Sequence, residues 1–154
     1  MSTRTVTTLT ILRRGTLRAM PLTLEQSQTL IAAAHEHAYA AGLNVTVAVV
    51  DEGGLLMALG RMDGAPPLSA QIAEAKAAGA AVWHRDGDQL ASVQDQRGAF
   101  FESVSRLTRL PLIPADGSVL IRDGGAVVGA VGVSGAKPEE DRECAEAGLR
   151  AVVG

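Results

Sequence analysis

Arg61-Met62-Asp63-Gly64 sets a guanidinium and a carboxylate two residues apart in front of a glycine. An arginine in such a place can hold a ligand carboxylate through two parallel hydrogen bonds. The alternative is a fixed ion pair of Arg61 with Asp63, Asp51 or a later acid. Lys76 stands among Ala73, Ala77 and Ala80, one turn after Ile72. Its amine either reaches an anionic ligand, or its stem packs while the charge meets water. The three histidines are His35, His37 and His84. His35 and His37 lie roughly 200° apart round a helix, so they cannot chelate one metal together. Each falls on a flank of the apolar face. There a neutral imidazole can reach the iron of a haem lying beside the helix, or can simply sit half exposed. His84 follows Trp83 and precedes Arg85, an aromatic that either stacks on a flat ligand or packs.

Gly129-Ala130-Val131-Gly132-Val133-Ser134-Gly135 places three glycines in seven residues of a strand pattern. Glycine weakens a strand, so each needs a reason: close approach of a ligand, with Gly132 and Ser134 at the contact, or tight packing beneath a helix. The spacing is neither a dinucleotide fingerprint nor a phosphate loop. Ser134 and Cys144 lack the sequence context of a base and an orienting acid that would activate a nucleophile. Cys144 shares a helical face with Gly148 and Ala151, which places it in the core. A second chemistry is open to the charged set. Arg61 would anchor a small carboxylate or carbonyl substrate, Asp51, Asp63 or Glu140 would move a proton, and Lys76 would steady an oxyanion.

These residues need elements to hold them. Thr23-Leu24-Glu25-Gln26 has capping-box spacing, and Leu24, Leu30, Ile31, Ala34, Ala38 and Ala41 gather on one face of the helix that follows, which Gly42 ends. Val45–Val50 reads as a strand, Asp51-Glu52-Gly53-Gly54 as its turn, and Leu55–Leu59 as the returning strand. An alanine-rich helix is expected from Ser69 to about Trp83. Residues 86–110 are mixed, with a helix expected over Gln96–Leu107, broken by Pro111 and Pro114. A second hairpin runs from Val119 through Arg122-Asp123-Gly124-Gly125 to Ser134. Lys137-Pro138-Glu139-Glu140-Asp141 opens a last helix, with proline in its first turn and three acids at the positive end of its dipole. The expected fold class is α/β of the α+β type: an antiparallel sheet built from two hairpins, with flanking helices.

Composition narrows the partners. The 154 residues suit one core, and 47% hydrophobic with 20% charged residues is a globular balance. Aromatics are only 3%, so the core must be aliphatic and closely packed. A net charge of -3 argues against nucleic acid as a partner. No apolar run approaches the roughly 20 residues that span a membrane. One cysteine rules out an intrachain disulfide, in keeping with a cytoplasmic setting. Residues 1–24 carry four arginines and no acid. Residues 1–21 read as a basic extension, either a solvated arm or an added strand, ahead of a domain over 22–154. Met20 is a conceivable alternative start.

Val47–Gly54, Arg61–Ala65, Lys76-Ala77, Gly129–Gly135 and Asp141–Gly148, taken in order, resemble the GlcG/HbpS family. That family includes proteins of glycolate-utilisation loci, haem-binding proteins and the C-terminal domain of PduO-type cobalamin adenosyltransferases. The likeness spans about residues 22–152. It implies an antiparallel sheet flanked by helices, frequent homo-oligomers and, for several members, haem as the ligand. The chain departs from the family at Ala77–Trp83 and at Asp116–Ile121, which alters two stretches of any pocket lining. Three functions therefore stand. The leading one is a small-ligand-binding protein of haem or tetrapyrrole type, with His35 or His37 on iron and Arg61 or Lys76 on propionates. The others are the cofactor-independent enzyme above and an oligomeric scaffold.

Overall fold

The computed structural model describes residues 18–153; of the extension expected over residues 1–21, all but the last four residues lie outside them. In chain order the elements are α1 (Leu24–Ala40), β1 (Thr46–Asp51), β2 (Leu56–Arg61), α2 (Ser69–Trp83), α3 (Gly87–Gln96), α4 (Gly98–Ser105), β3 (Ser118–Asp123), β4 (Ala126–Ser134) and α5 (Pro138–Arg150). The strands form one antiparallel sheet in the order β2-β1-β4-β3. The two hairpins thus meet through their inner strands, β1 and β4, and the fold is the α+β type expected.

Strand alternation sends successive side chains to opposite faces, and both faces are covered. Val45, Val47, Val49, Val131 and Val133 meet Leu30, Ile31 and Ala34 of α1 and Cys144 and Ala145 of α5. Full burial of an aliphatic side chain such as Leu30 contributes about 2 kcal/mol. On the other face Val50, Leu120 and Ala130 meet Ala77, Ala80 and Ala81 of α2. Small residues let α2 approach closely. A Cβ built on Gly132 would run into the Ala73 carbonyl and lie 2.7 Å from the Ala77 nitrogen. A third, smaller core of Leu90, Phe101 and Leu112, with Trp83 and Val93, joins α3 and α4 to the loop after them.

The region 86–110 differs from expectation. Two helices replace one, parted at Arg97, and the first begins nine residues earlier than the helix expected. Asp86 and Gln89 make a reciprocal capping box at its start, a signal outweighed by weak apolar periodicity: only Gly87 and Leu90 of α3 are buried. Asp86 also accepts the Leu120 N–H at 2.9 Å, which closes part of the free edge of β3. Leu24, expected on the buried face of α1, is exposed, because burial begins only with Ser27.

His84, at the end of α2, is the one non-glycine residue at positive φ among those described (φ 53°, ψ 41°). A side chain there crowds its own backbone, and glycine does not. His84→Gly is expected to raise stability by roughly 1 kcal/mol, visible as a higher urea midpoint.

Candidate functional site

The chemistry-bearing residues distribute between two ends of the sheet. Thr46 pairs with Arg61 on one side and Ser134 on the other, so these two lie at one end, two strands apart. Asp51, paired with Gly129, is at the opposite end, roughly 17 Å away along β1 at the usual strand rise. There its Oδ1 accepts the N–H groups of Gly53 (2.9 Å) and Leu55 (3.0 Å), holding the hairpin turn. Asp51 therefore does not join Arg61.

The end of β2 gathers three of the named residues. His35 is half-buried between α1 and β2, and its Nε2 donates to the Gly60 carbonyl at 3.0 Å. A carbonyl can only accept, so the proton is on Nε2 and, in the neutral ring, Nδ1 keeps the lone pair. A Cβ on Gly60 would lie 2.7 Å from His35 Cε1, so the glycine makes room for the imidazole. The next residue, Arg61, is exposed and has no carboxylate within ion-pair distance among the described residues. Asp63 is exposed in the following turn, which the Ala65 N–H closes on the Met62 carbonyl at 3.0 Å. Leu56 and Leu59 are exposed along the free edge of β2, on the same face as Arg61 and opposite to His35. His37 sits half-buried on the other flank of α1, and His84 is exposed at the far end of α2.

Lys76 has a different setting. It is buried, and its ammonium donates to the Asp141 carboxylate at 3.2 Å and to the Val133 carbonyl at 3.0 Å. The other Asp141 oxygen accepts the Ala136 N–H at 3.0 Å. Burial raises the Asp141 carboxyl above its ordinary range, while the ammonium and the Ala136 N–H pull it back part of the way. Gly117, at φ +110°, lies over the pair; a Cβ there would be 2.9 Å from Lys76 Nζ. The Lys76 charge is thus matched inside the protein by the Asp141 carboxylate and the Val133 carbonyl. Its partner was missed in the sequence. The signal was present: Asp141, Cys144, Ala145 and Gly148 fall at i, i+3, i+4 and i+7, the buried face of α5.

The remaining candidates serve the fold. Glu140 accepts the Lys137 N–H at 3.2 Å and caps α5. Gly132 is closed over by α2, and a Cβ on Gly129 would meet the Val50 carbonyl, so the glycine wall of β4 is filled and admits no flat ring. Ser134 is buried at the end of β4. Cys144 is buried beneath α1 and its thiol is pushed up to about 11, which makes it inert. Asp51 lies at the far end of β1 from Arg61 and Lys76 is committed to Asp141, so these two do not join Arg61 in the acid–base set expected. Among the described residues there is no group of three or more His, Cys, Asp or Glu placed to hold a metal ion, and no helix long and apolar enough to cross a membrane.

Residues 22–150 match the family model described as "Haem degrading protein HbpS-like". Protein GlcG of Escherichia coli K12 is 34% identical over 113 residues, 73% of this chain and 81% of GlcG. Among solved structures, a double mutant of HbpS from Streptomyces reticuli superposes with a TM-score of 0.80 at 30% identity, covering 89% of this chain and 90% of that one. A PduOC:heme complex gives 0.77 at 26% identity, covering 86% and 95%.

Proposed function

The chain belongs to the HbpS-like family, and on that footing we propose that it binds a flat tetrapyrrole-type ligand, haem in the first instance, at the free edge of β2. The observation that carries the reading is the orientation of His35. Its imidazole is fixed by the Gly60 carbonyl on the α1 face of the edge strand β2, while Arg61, with no carboxylate partner among the described residues, leaves the same strand end on the other face. A ring nitrogen whose partner nitrogen is tied to a carbonyl is the usual arrangement of a metal-binding histidine. His35 Nδ1 would hold the iron, and Arg61, on the other face at the same strand end, would meet a propionate reaching round the free edge of β2. Haem, when bound, would supply an iron centre that takes a histidine nitrogen as a ligand. Lys76 drops out of the expected set because Asp141 occupies it, and His37 would be the competing iron ligand on the other flank. The reading includes a homo-oligomer in a cytoplasmic setting. Supporting it are the exposed Leu55, Leu56, Leu59 and Leu68, apolar surface that a second copy would cover, and the single buried thiol.

Hemin titrated into the full chain is expected to give a shifted Soret band. His35→Ala is expected to weaken binding by about 10–100-fold, the range seen even for groups that only support a metal ligand. Arg61→Ala is expected to weaken binding less and leave the band position unchanged. A hemin spectrum unaltered by the protein overturns the proposal. Loss on His37→Ala with His35→Ala unaffected moves the iron to the other flank.

A further inference from the structure

Trp83, Arg85 and Arg97 take no part in the haem reading, yet they line a cleft of about 340 Å³ with Gln89, Ser92 and Gln96. We propose that this cleft binds a compact aromatic anion, one or two fused rings carrying a carboxylate or a phosphate. The volume is at the low end of ligand pockets, roughly 300–1,000 Å³, and suits a ligand far smaller than a porphyrin. Neither guanidinium has a carboxylate partner among the described residues. Two unneutralised arginines at one cleft are a ready fork for a planar anion.

The ring partner is Trp83. Phe100 meets it edge-on at 6.2 Å and Phe101 lies tilted at 5.6 Å, so two rings brace the indole, which also lines the cleft. Arg97 is itself held in place, its guanidinium 4.1 Å from the centre of the Phe100 ring. The facing wall is a polar stripe of α3: Gln89, Ser92 and Gln96 at i, i+3 and i+7. Gln96 Nε2 donates to Ser92 Oγ at 3.2 Å, and Gln89 Oε1 accepts the Asp86 N–H at 3.2 Å, leaving the Gln89 NH2 group to donate. An aromatic face, two cations and an amide donor around one space recognise a flat ring with a negative substituent. The cleft lies on the β3 side, where Asp86 meets Leu120, at the opposite edge of the sheet from His35 and Arg61.

Trp83 is the protein's one tryptophan, so its emission reports the cleft directly. Nicotinate supplies a ring with a carboxylate and AMP a ring with a phosphate; adenosine and inorganic phosphate are the controls lacking one part. Saturable quenching is expected from nicotinate or AMP, and whichever of them acts identifies the anion. Adenosine and phosphate are expected to leave the emission unchanged at the same concentrations. Arg85→Gln/Arg97→Gln is expected to weaken the effect about tenfold or more, as loss of hydrogen bonds to a charge implies. Ser92→Leu, which fills the cleft from an exposed helix position, is expected to do the same. Hemin binding should be untouched in both variants, which separates this proposal from the previous one. Absence of saturable quenching by both aromatic anions, or full quenching retained in the two variants, overturns it.

Discussion

Lys76→Met is expected to lower the free energy of unfolding by about 3–5 kcal/mol at neutral pH, the range for stranding one partner of a buried ion pair. The ammonium is 5% exposed and serves a carboxylate and a carbonyl at once, so its removal leaves the Asp141 charge buried with only the Ala136 N–H to meet it. Urea denaturation measures the loss. Lys76→Met/Asp141→Leu is expected to recover much of it, because no charge is then left in the interior. The pH dependence has a definite sign. Without Lys76 the folded state holds the Asp141 proton more tightly than the unfolded chain does. Stability of the variant then falls as pH rises above the unfolded carboxyl value of about 4. The penalty relative to the parent should accordingly be smaller at about pH 5 than at about pH 8. A penalty of the same size at both would mean that Asp141 is not where the damage lies.

Gly132→Ala is expected to destabilise by about 3 kcal/mol, at the top of the usual range for overfilling a packed core. The methyl group would collide with the Ala73 carbonyl and the Ala77 amide. These are helix backbone atoms that cannot swing aside as a side-chain tip can. Either α2 lifts off β4 or the strand bends. Gly124→Ala is a useful contrast, since nothing stands within 4 Å of its missing Cβ and only its φ of +56° is at stake. A Gly132→Ala protein as stable as the parent would show that α2 can move away from the sheet freely.

Most of the architecture was legible because each element carries a local signature. Thr23 and Gln26 do form the capping box. Asp51 through Gly54 do turn the first hairpin, and Pro138 does sit in the first turn of α5. The sequence was less informative where a local signal competes with a global one. Asp86 and Gln89 mark a helix start, but the helix they open buries almost nothing by itself and is held by Phe101 and Leu112. The site divides the same way. Arg61 and Asp63 were recognisable from the turn that carries them. That Asp51 lies a strand length away, and that Lys76 is neutralised by a residue 65 positions on, are consequences of strand pairing and helix packing that no short window of residues contains. Ties between sequence neighbours, such as the Thr23–Gln26 capping box and the Asp51 turn, were legible; ties across the sheet were not.

The alanine face of α2 has one more consequence. Methyl groups laid against Ala130 and Gly132 resist being pulled apart but offer few knobs against sliding. The helix therefore rests on the sheet like a rod on a smooth bed, and its axial position must be set elsewhere. Two polar stops do this. The Thr46 hydroxyl donates to Ser69 Oγ at 2.7 Å, since the Ser69 proton is already given to the Pro66 carbonyl, and Lys76 is clipped to Val133 and Asp141 two turns further on. Held at points about 10 Å apart along its axis, the rod can neither slip nor pivot, and Trp83 at its far end is delivered to a fixed place.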